Sequence, residues 1–218
     1  MDANSKKIVS NQDGVHPNLA KVVRRHLASR FLKPVSDHTR EAFDVVATRL
    51  ASANCGLVLD SCCGVGDSSR ALARAFPDHW VVGVDKSGAR LGRERDEHTP
   101  ENLLLVRADL NDFFRLAAEA GWRPARHYIL YPNPWPKAEH LKRRWHGAPV
   151  FPDIVRLGGR LELRSNWRLY LEEFAGALEL AGVASTLRAF DAAAPITPFE
   201  AKYKISGQPL WQLTADIS

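Results

Sequence analysis

Apolar positions along this chain recur at two spacings, and their order predicts an α/β fold. Helical spacing comes first. Leu19, Val22, Val23, Leu27 and Phe31 alternate with Lys21, Arg24, Arg25 and Arg30, predicting a basic amphipathic helix that stops near Pro34. A second helix is expected over residues 37–53, with Ala42, Phe43, Val46 and Leu50 on one face and Asn54 and Gly56 closing it. Short, continuously apolar runs follow at 57–60, 80–84, 103–106 and 127–131. Runs of that length suit strands buried on both faces. Helices are predicted between them at 68–76 and 111–120, and later at 150–157 and 167–181. Strands are predicted at 160–164, 185–190 and 211–213. Strand, glycine turn, helix, strand, acid is the first half of a nucleotide-binding α/β fold. The pattern predicts a mostly parallel, seven-stranded sheet with helices on both faces. Residues 1–36 form an arm and the basic helix, and 37–218 form the domain. Residues 1–17, polar and unpatterned, are expected to be mobile.

The chain has 218 residues, 45% hydrophobic and 25% charged, enough for a substantial core. No run of about 18 apolar residues exists, so no membrane span is expected. The first seven residues carry no apolar core and do not resemble a secretory signal. Cys55, Cys62 and Cys63 are odd in number and fit no zinc spacing. They read as reduced thiols of a cytoplasmic protein, with no metal site. The net charge of +5 suggests a polyanionic partner.

Two stretches carry candidate chemistry. The first is the turn Cys63-Gly64-Val65-Gly66-Asp67 after the first strand, where glycines let a ligand approach the backbone. Nicotinamide dinucleotides and S-adenosylmethionine are both bound by this geometry. The third glycine of the dinucleotide fingerprint is a serine here, and Asp60 before the turn would repel a pyrophosphate. The same acid suits the ammonium of a methionine moiety, so S-adenosylmethionine is favoured. Asp85, ending the second strand, is placed for ribose hydroxyls. Asp109 is placed for an adenine amino group, with Leu110 near the ring. The second stretch is Tyr131-Pro132-Asn133-Pro134-Trp135-Pro136-Lys137. Three prolines in five residues stop a strand and start a stiff loop. Trp135 reads either as a stacking platform for a base or as core packing. Lys137, Lys142, Arg143 and Arg144 would meet phosphates. Thr197 and Glu200 read as a nucleotide-binding pair or as an ordinary helix cap, and the two are compatible.

Taken together, these motifs resemble the bacterial tRNA (guanine-N7)-methyltransferase family over about residues 17–213. Asp60 to Gly66 matches its first-strand turn. Pro132-Asn133-Pro134-Trp135-Pro136-Lys137 with the later Lys142-Arg143-Arg144 matches its P-D-P-W-P-K loop and basic run. Ser165-Asn166-Trp167 matches T-D-W, Thr197-Pro198-Phe199-Glu200 matches T-K-F-E, and Gly207-Gln208-Pro209 matches the G-x-P that follows. The resemblance implies a Rossmann-like class I methyltransferase acting on tRNA, as a monomer or homodimer. It implies cofactor contacts at Asp60, Cys62, Gly64, Gly66, Asp85, Lys86, Asp109, Leu110 and Asn133, with Asn133 catalytic. Substrate contacts are implied at Trp135, Lys137, Lys142, Arg143, Arg144, Asn166, Thr197 and Glu200. Two family aspartates are amides here, Asn133 and Asn166, and the T-K-F-E lysine is Pro198. Asn133-Pro134-Trp135 also partly resembles the N-P-P-aromatic loop of methyltransferases acting on exocyclic amines. A redirected target, a small purine-like substrate and a non-catalytic tRNA-binding role are therefore the alternatives. An NAD-linked oxidoreductase would need a substrate domain for which this chain has no room.

Overall fold

A computed structural model describes residues 5–53, 55–93 and 98–218. Residues 1–4 of the expected arm and Asn54, expected to close the second helix, lie outside them. The strands are β1 (Gly56–Ser61), β2 (His79–Asp85), β3 (Leu103–Arg107), β4 (Arg126–Leu130), β5 (Gly159–Ser165), β6 (Thr186–Phe190) and β7 (Leu210–Ile217). The helices are α1 (Leu19–Leu27), α2 (Asp37–Ala51), α3 (Asp67–Ala75), α4 (Gly88–Leu91), α5 (Leu110–Glu119), α6 (Phe151–Leu157), α7 (Arg168–Leu180) and α8 (Pro198–Ile205). One sheet runs in the order β3-β2-β1-β4-β5-β7-β6, with β7 antiparallel to both neighbours and β1 to β5 parallel. The order reverses between β1 and β4. Ligands of open α/β sheets bind at such a switch point, beyond the carboxyl ends of the strands.

Successive strand residues serve opposite faces. Leu59, Val82, Ile129 and Leu163 join one core with residues of α1, α2, α5, α6 and α7. Val58, Val81, Tyr128 and Leu130 join a second core with Leu72 of α3, and Tyr203 of α8 packs against it. Leu19 and Val23 place α1 in the first core. The helix ends at Leu27, short of Pro34, because the Ser29 hydroxyl and amide take the carbonyls of Arg25 and His26. Phe31 leaves the helix and packs under the Arg115 guanidinium. The four-residue α4 has no apolar period and was not foreseen.

Residues 5–16 do not behave as the expected mobile arm. They lie against the domain through long-range hydrogen bonds. Ser5 accepts from Gln208 Nε2 at 2.8 Å, Ser10 Oγ donates to the Pro136 carbonyl at 2.6 Å, and Asn11 Oδ1 accepts from the Ala138 amide at 2.9 Å. Further on, the His16 amide and the Gln12 side chain both donate to Glu173 of α7. Short polar side chains can hold backbone without apolar periodicity, which is why no pattern marked this segment.

Glu173 is fully buried. Its other oxygen accepts from Arg144 and from His146 Nε2. Burial alone would raise its pKa, but His146 and Arg144 outweigh that and hold it down at about 2. A carboxyl depressed in the folded state stabilises the fold above its unfolded pKa and loses that contribution as pH falls through the folded value. Stability is therefore expected to decline as pH drops from about 4.5 towards 2. Glu173→Gln should cost about 3–5 kcal/mol at neutral pH, since it strands Arg144 in the core. It should also flatten the acid limb of denaturant midpoints measured against pH. An unchanged midpoint in the variant would show that the pair contributes nothing net.

Candidate functional site

The glycine turn leaves β1 at the switch point. Asp60 is fully buried there, and its Oδ2 accepts from Ser68 Oγ and Ser69 Oγ, each at 2.6 Å. Both serines sit in the first turn of α3. Ser69 comes close because β2 carries Gly83 opposite it, where a methyl group would lie 2.3 Å from Ser69 Oγ. Asp60 Oδ1 is buried with no hydrogen-bond partner among the described residues. Burial raises the Asp60 pKa to about 6, against the opposing pull of the two serines. Cys62, Gly64 and Gly66 all have positive φ, at 64°, 62° and 81°, and a methyl built on Gly64 meets open space. Asp85 holds the turn. Its Oδ2 accepts from the Gly64 amide at 3.0 Å and its Oδ1 from the Ser87 amide at 2.8 Å. Lys86 beside it is exposed. Asp109 caps α5, accepting from the Asn111 amide at 2.8 Å, and Leu110 is buried behind it.

The proline loop leaves the neighbouring strand, β4. Tyr131 and Trp135 adopt φ of 49° and 46°, conformations that cost non-glycine residues roughly 1–3 kcal/mol each. With Cys62, they are the non-glycine residues of positive φ among the described residues. All three lie at this one end of the sheet. Arg144 supports the loop from inside. Its Nε donates to the Trp135 carbonyl and its Nη2 to the Lys137 carbonyl, both at 3.2 Å, while Nη1 pairs with Glu173. Arg144 also lies over the Trp167 ring at 5.0 Å. Arg144 was expected to meet phosphate. It is fully buried, and its donors are spent on the loop, so that expectation is corrected. The neighbouring Lys137, Lys142 and Arg143 are exposed. A 3-10 turn over Ala138–Arg143 points Leu141 inward and leads Arg144, which follows it, into the core. Asn133 is exposed, its Oδ1 accepting from the Trp135 amide at 3.3 Å. Trp135 is half-buried with Arg143 over its ring at 4.8 Å and His140 edge-on at 5.4 Å.

A second, partly buried charge pair holds the start of the loop. Glu200 Oε1 accepts from Tyr131 Oη and Arg164 Nη1, each at 2.9 Å, and Oε2 accepts from the Ile196 amide at 2.8 Å. Thr197 Oγ1 caps α8 by accepting from the Glu200 amide at 2.9 Å. The cap reading of this pair is thus present. Glu200, expected to face substrate, is fully buried and satisfied from within, which corrects that expectation. Asn166 Nδ2 donates to Gln208 Oε1 at 2.8 Å, and Gln208 in turn holds Ser5. Asn133 and Asn166 follow the adjacent strands β4 and β5, so the two amides share one strand-end surface.

Ser68, Ser69, Glu173 and Arg164 escaped the sequence reading. Each is a polar residue on a predicted helix or strand, and only folding shows that its partner is a buried charge. Among the described residues no group of three or more His, Cys, Asp or Glu could hold a metal ion. No helix among them is long and apolar enough to cross a membrane.

The cysteines differ sharply. Burial and the nearby Asp85 push the Cys62 thiol up to about 12, and burial raises Cys63 as well, whereas Cys55 is exposed. Only a thiolate alkylates readily. Iodoacetamide at pH 8 should therefore label Cys55 and leave the other two, as peptide mass spectrometry would show. Rapid labelling of Cys62 would contradict its raised thiol pKa.

Residues 55–213 match a family model described as a putative methyltransferase. A tRNA (guanine-N(7)-)-methyltransferase of Leifsonia xyli subsp. xyli is 30% identical over 166 residues, covering 69% of this chain and 71% of the relative. The corresponding protein of Anaeromyxobacter dehalogenans is 31% identical over 176 residues, covering 76% and 87%. Among solved structures, an antibiotic-related methyltransferase superposes with a TM-score of 0.60 at 13% identity, covering 85% of this chain and 97% of its own. The 16S rRNA methyltransferase KamB does so with 0.59 at 19%, covering 85% and 95%. At those identities the superpositions speak for the fold, a Rossmann-like class I methyltransferase. The switch-point turn, the clamped proline loop and the relatives at about 30% identity lead to one conclusion: this chain belongs to the tRNA (guanine-N7)-methyltransferase family.

Proposed function

We propose that the protein transfers a methyl group from S-adenosylmethionine to N7 of a guanine in tRNA, in the cytoplasm. The observation that carries this reading is the pairing, at one switch point, of an orphaned buried carboxylate oxygen with a rigid Asn-Pro-Trp-Pro loop. The residues present fit the cofactor. Asp60 Oδ1 has no partner, as an acceptor awaiting an ammonium would, and the open face of Gly64 leaves room beside it. Asp85 and Asp109 stand at the next two strand ends for ribose and adenine, with Lys86 and Leu110 beside them and Cys62 in the turn. When bound, the cofactor supplies a methyl group already activated on a sulfonium.

The chain's own residues then have to hold the base in line, and that positioning supplies much of the rate. Guanine N7 carries a free lone pair, so no general base is required. Positive charge grows on the ring during transfer. The Asn133 carbonyl faces that charge as a dipole, a weaker partner than a carboxylate. Lys137, Lys142 and Arg143 are exposed and placed for phosphates. In this reading Asn166 and Thr197 would read the base edge.

One observation favours a second reading. The remaining carboxylate of the substrate motifs, Glu200, is saturated by Tyr131, Arg164 and Ile196. With amides at 133 and 166, a base edge offering a donor beside an acceptor could be read without any charge. That would suit another nucleobase position or a small purine-like molecule.

Labelled methyl transfer to unmodified tRNA, with the digested nucleosides identified, separates these readings. 7-Methylguanosine is the expected product. Another methylated nucleoside would move the target, and tight tRNA binding without turnover would leave a binding protein. For the N7 reaction, Asn133→Asp should raise kcat by about 5–10-fold, the difference between a charged and a neutral partner. Asn133→Ala should lower it.

The raised Asp60 pKa makes a separate prediction. A carboxyl held protonated up to about pH 6 must ionise to receive an ammonium. Calorimetric affinity for S-adenosylhomocysteine should therefore tighten by up to about tenfold per pH unit below pH 6 and level off above it. Asp60→Asn should remove that dependence. A flat profile in the wild type would place the ammonium elsewhere.

A further inference from the structure

We propose that the outer face of α1, together with Lys142 and Arg143, forms a continuous track for the phosphate backbone of the RNA substrate. This rests on the tRNA reading above and extends it to a helix outside the family motifs.

The argument starts from the helix itself. Lys21, Arg24 and Arg25 fall on one side of α1 at helical spacing, opposite the buried Leu19 and Val23. All three are exposed, the helix contains no acid, and none of the three forms a salt bridge among the described residues. Like charges three or four residues apart weaken a helix slightly. Cations in a last turn are favoured by the helix dipole, which accounts locally for Arg24 and Arg25 but not for Lys21.

The second observation is where the stripe leads. His26 lies between α1 and the loop after the basic run. Helix α1 packs against the 3-10 turn Trp145–Gly147, and that turn packs on the one that carries Lys142 and Arg143. Lys142 thus reaches the α1 side of the domain from a separate segment. Arg143 follows with its guanidinium over Trp135, and Lys137 lies on the same loop. The cations run from the candidate catalytic loop onto α1 without an intervening acidic residue on the helix. In the 3-10 turn, the exposed acid Glu139 sits beside His140 at 3.6 Å. From Lys21 to Arg25 the helix extends the track by about 6 Å along its axis.

The chemistry of the partner follows from what the face lacks. A membrane-surface helix needs a free apolar side to insert, and here that side is locked in the domain core. What remains is exposed positive charge on a rigid support, without an ion-pair partner among the described residues, which suits a regular array of phosphates and carries no sequence preference.

The test is the salt dependence of binding to unmodified tRNA, comparing wild type with the triple variant Lys21→Gln, Arg24→Gln, Arg25→Gln. Losing three phosphate contacts should reduce the slope of log Kd against log salt by about 2–3 and weaken binding at least ~10-fold at 0.15 M salt. S-adenosylhomocysteine binding and Tm should not change. A control variant, Arg126→Gln with Arg160→Gln, removes two cations at the opposite ends of β4 and β5 and should leave the slope alone. An unchanged slope in the triple variant, or an equal loss in the control, overturns the track. Wild type that binds no tRNA overturns the tRNA reading itself, and the track with it.

Discussion

The buried pair of Arg144 and Glu173 is the interaction on which the site's shape depends. Glu173 collects donors from Arg144, His146, Gln12 and the His16 backbone, and Arg144 passes that anchorage to the carbonyls of Trp135 and Lys137. A buried ion pair is seldom a large net stabiliser, because desolvation consumes most of the attraction. Its value here is geometric. A loop with prolines at 132, 134 and 136 can donate few backbone hydrogen bonds of its own. Its carbonyls need donors brought to them, and a guanidinium with five N–H groups supplies several from one residue.

A second pair, half-buried Arg164 with buried Glu200, works at the other end of the same loop through Tyr131. Burial and the Glu200 carboxylate raise the Tyr131 pKa, so its hydroxyl stays a donor. The two positive-φ residues of the loop, Tyr131 and Trp135, each sit beside one of these pairs. Strain of this kind persists where the surroundings over-determine it. The candidate catalytic Asn133 lies between the two clamped points, on a backbone with little freedom to move.

The two halves of the site differ in electrostatic character. The glycine-turn half carries the buried acids Asp60 and Asp85, one of them with an orphaned oxygen. The loop half presents amides, Asn133 and Asn166, while its carboxylates are turned inward and neutralised by arginines. Cationic charge is kept to the rim, at Lys137, Lys142 and Arg143. In the proposed function, such an arrangement would separate recognition of a cationic cofactor from recognition of a polyanionic substrate, so that neither site's charge opposes the other's ligand.

Much of this was legible in the residues alone. Apolar runs of strand length, glycine turns and closing acids determined the strand count and the helices between strands, because those signals are local. They also placed Asp60, Asp85, Asp109 and the proline loop, since strand ends in this fold converge at one switch point. Asn133, Lys137, Lys142 and Arg143 emerged exposed. Adjacent residues such as Arg143 and Arg144 carry the same charge in sequence, and only tertiary structure separated them. A 3-10 turn sends one to the surface and the other into the core beside a glutamate 29 positions away. The same holds for Glu200, turned inward to an arginine on β5, and for residues 5–16, whose polar side chains find partners over a hundred positions along the chain. Periodicity reports which side of an element is apolar. It does not report which buried polar group waits on the other side.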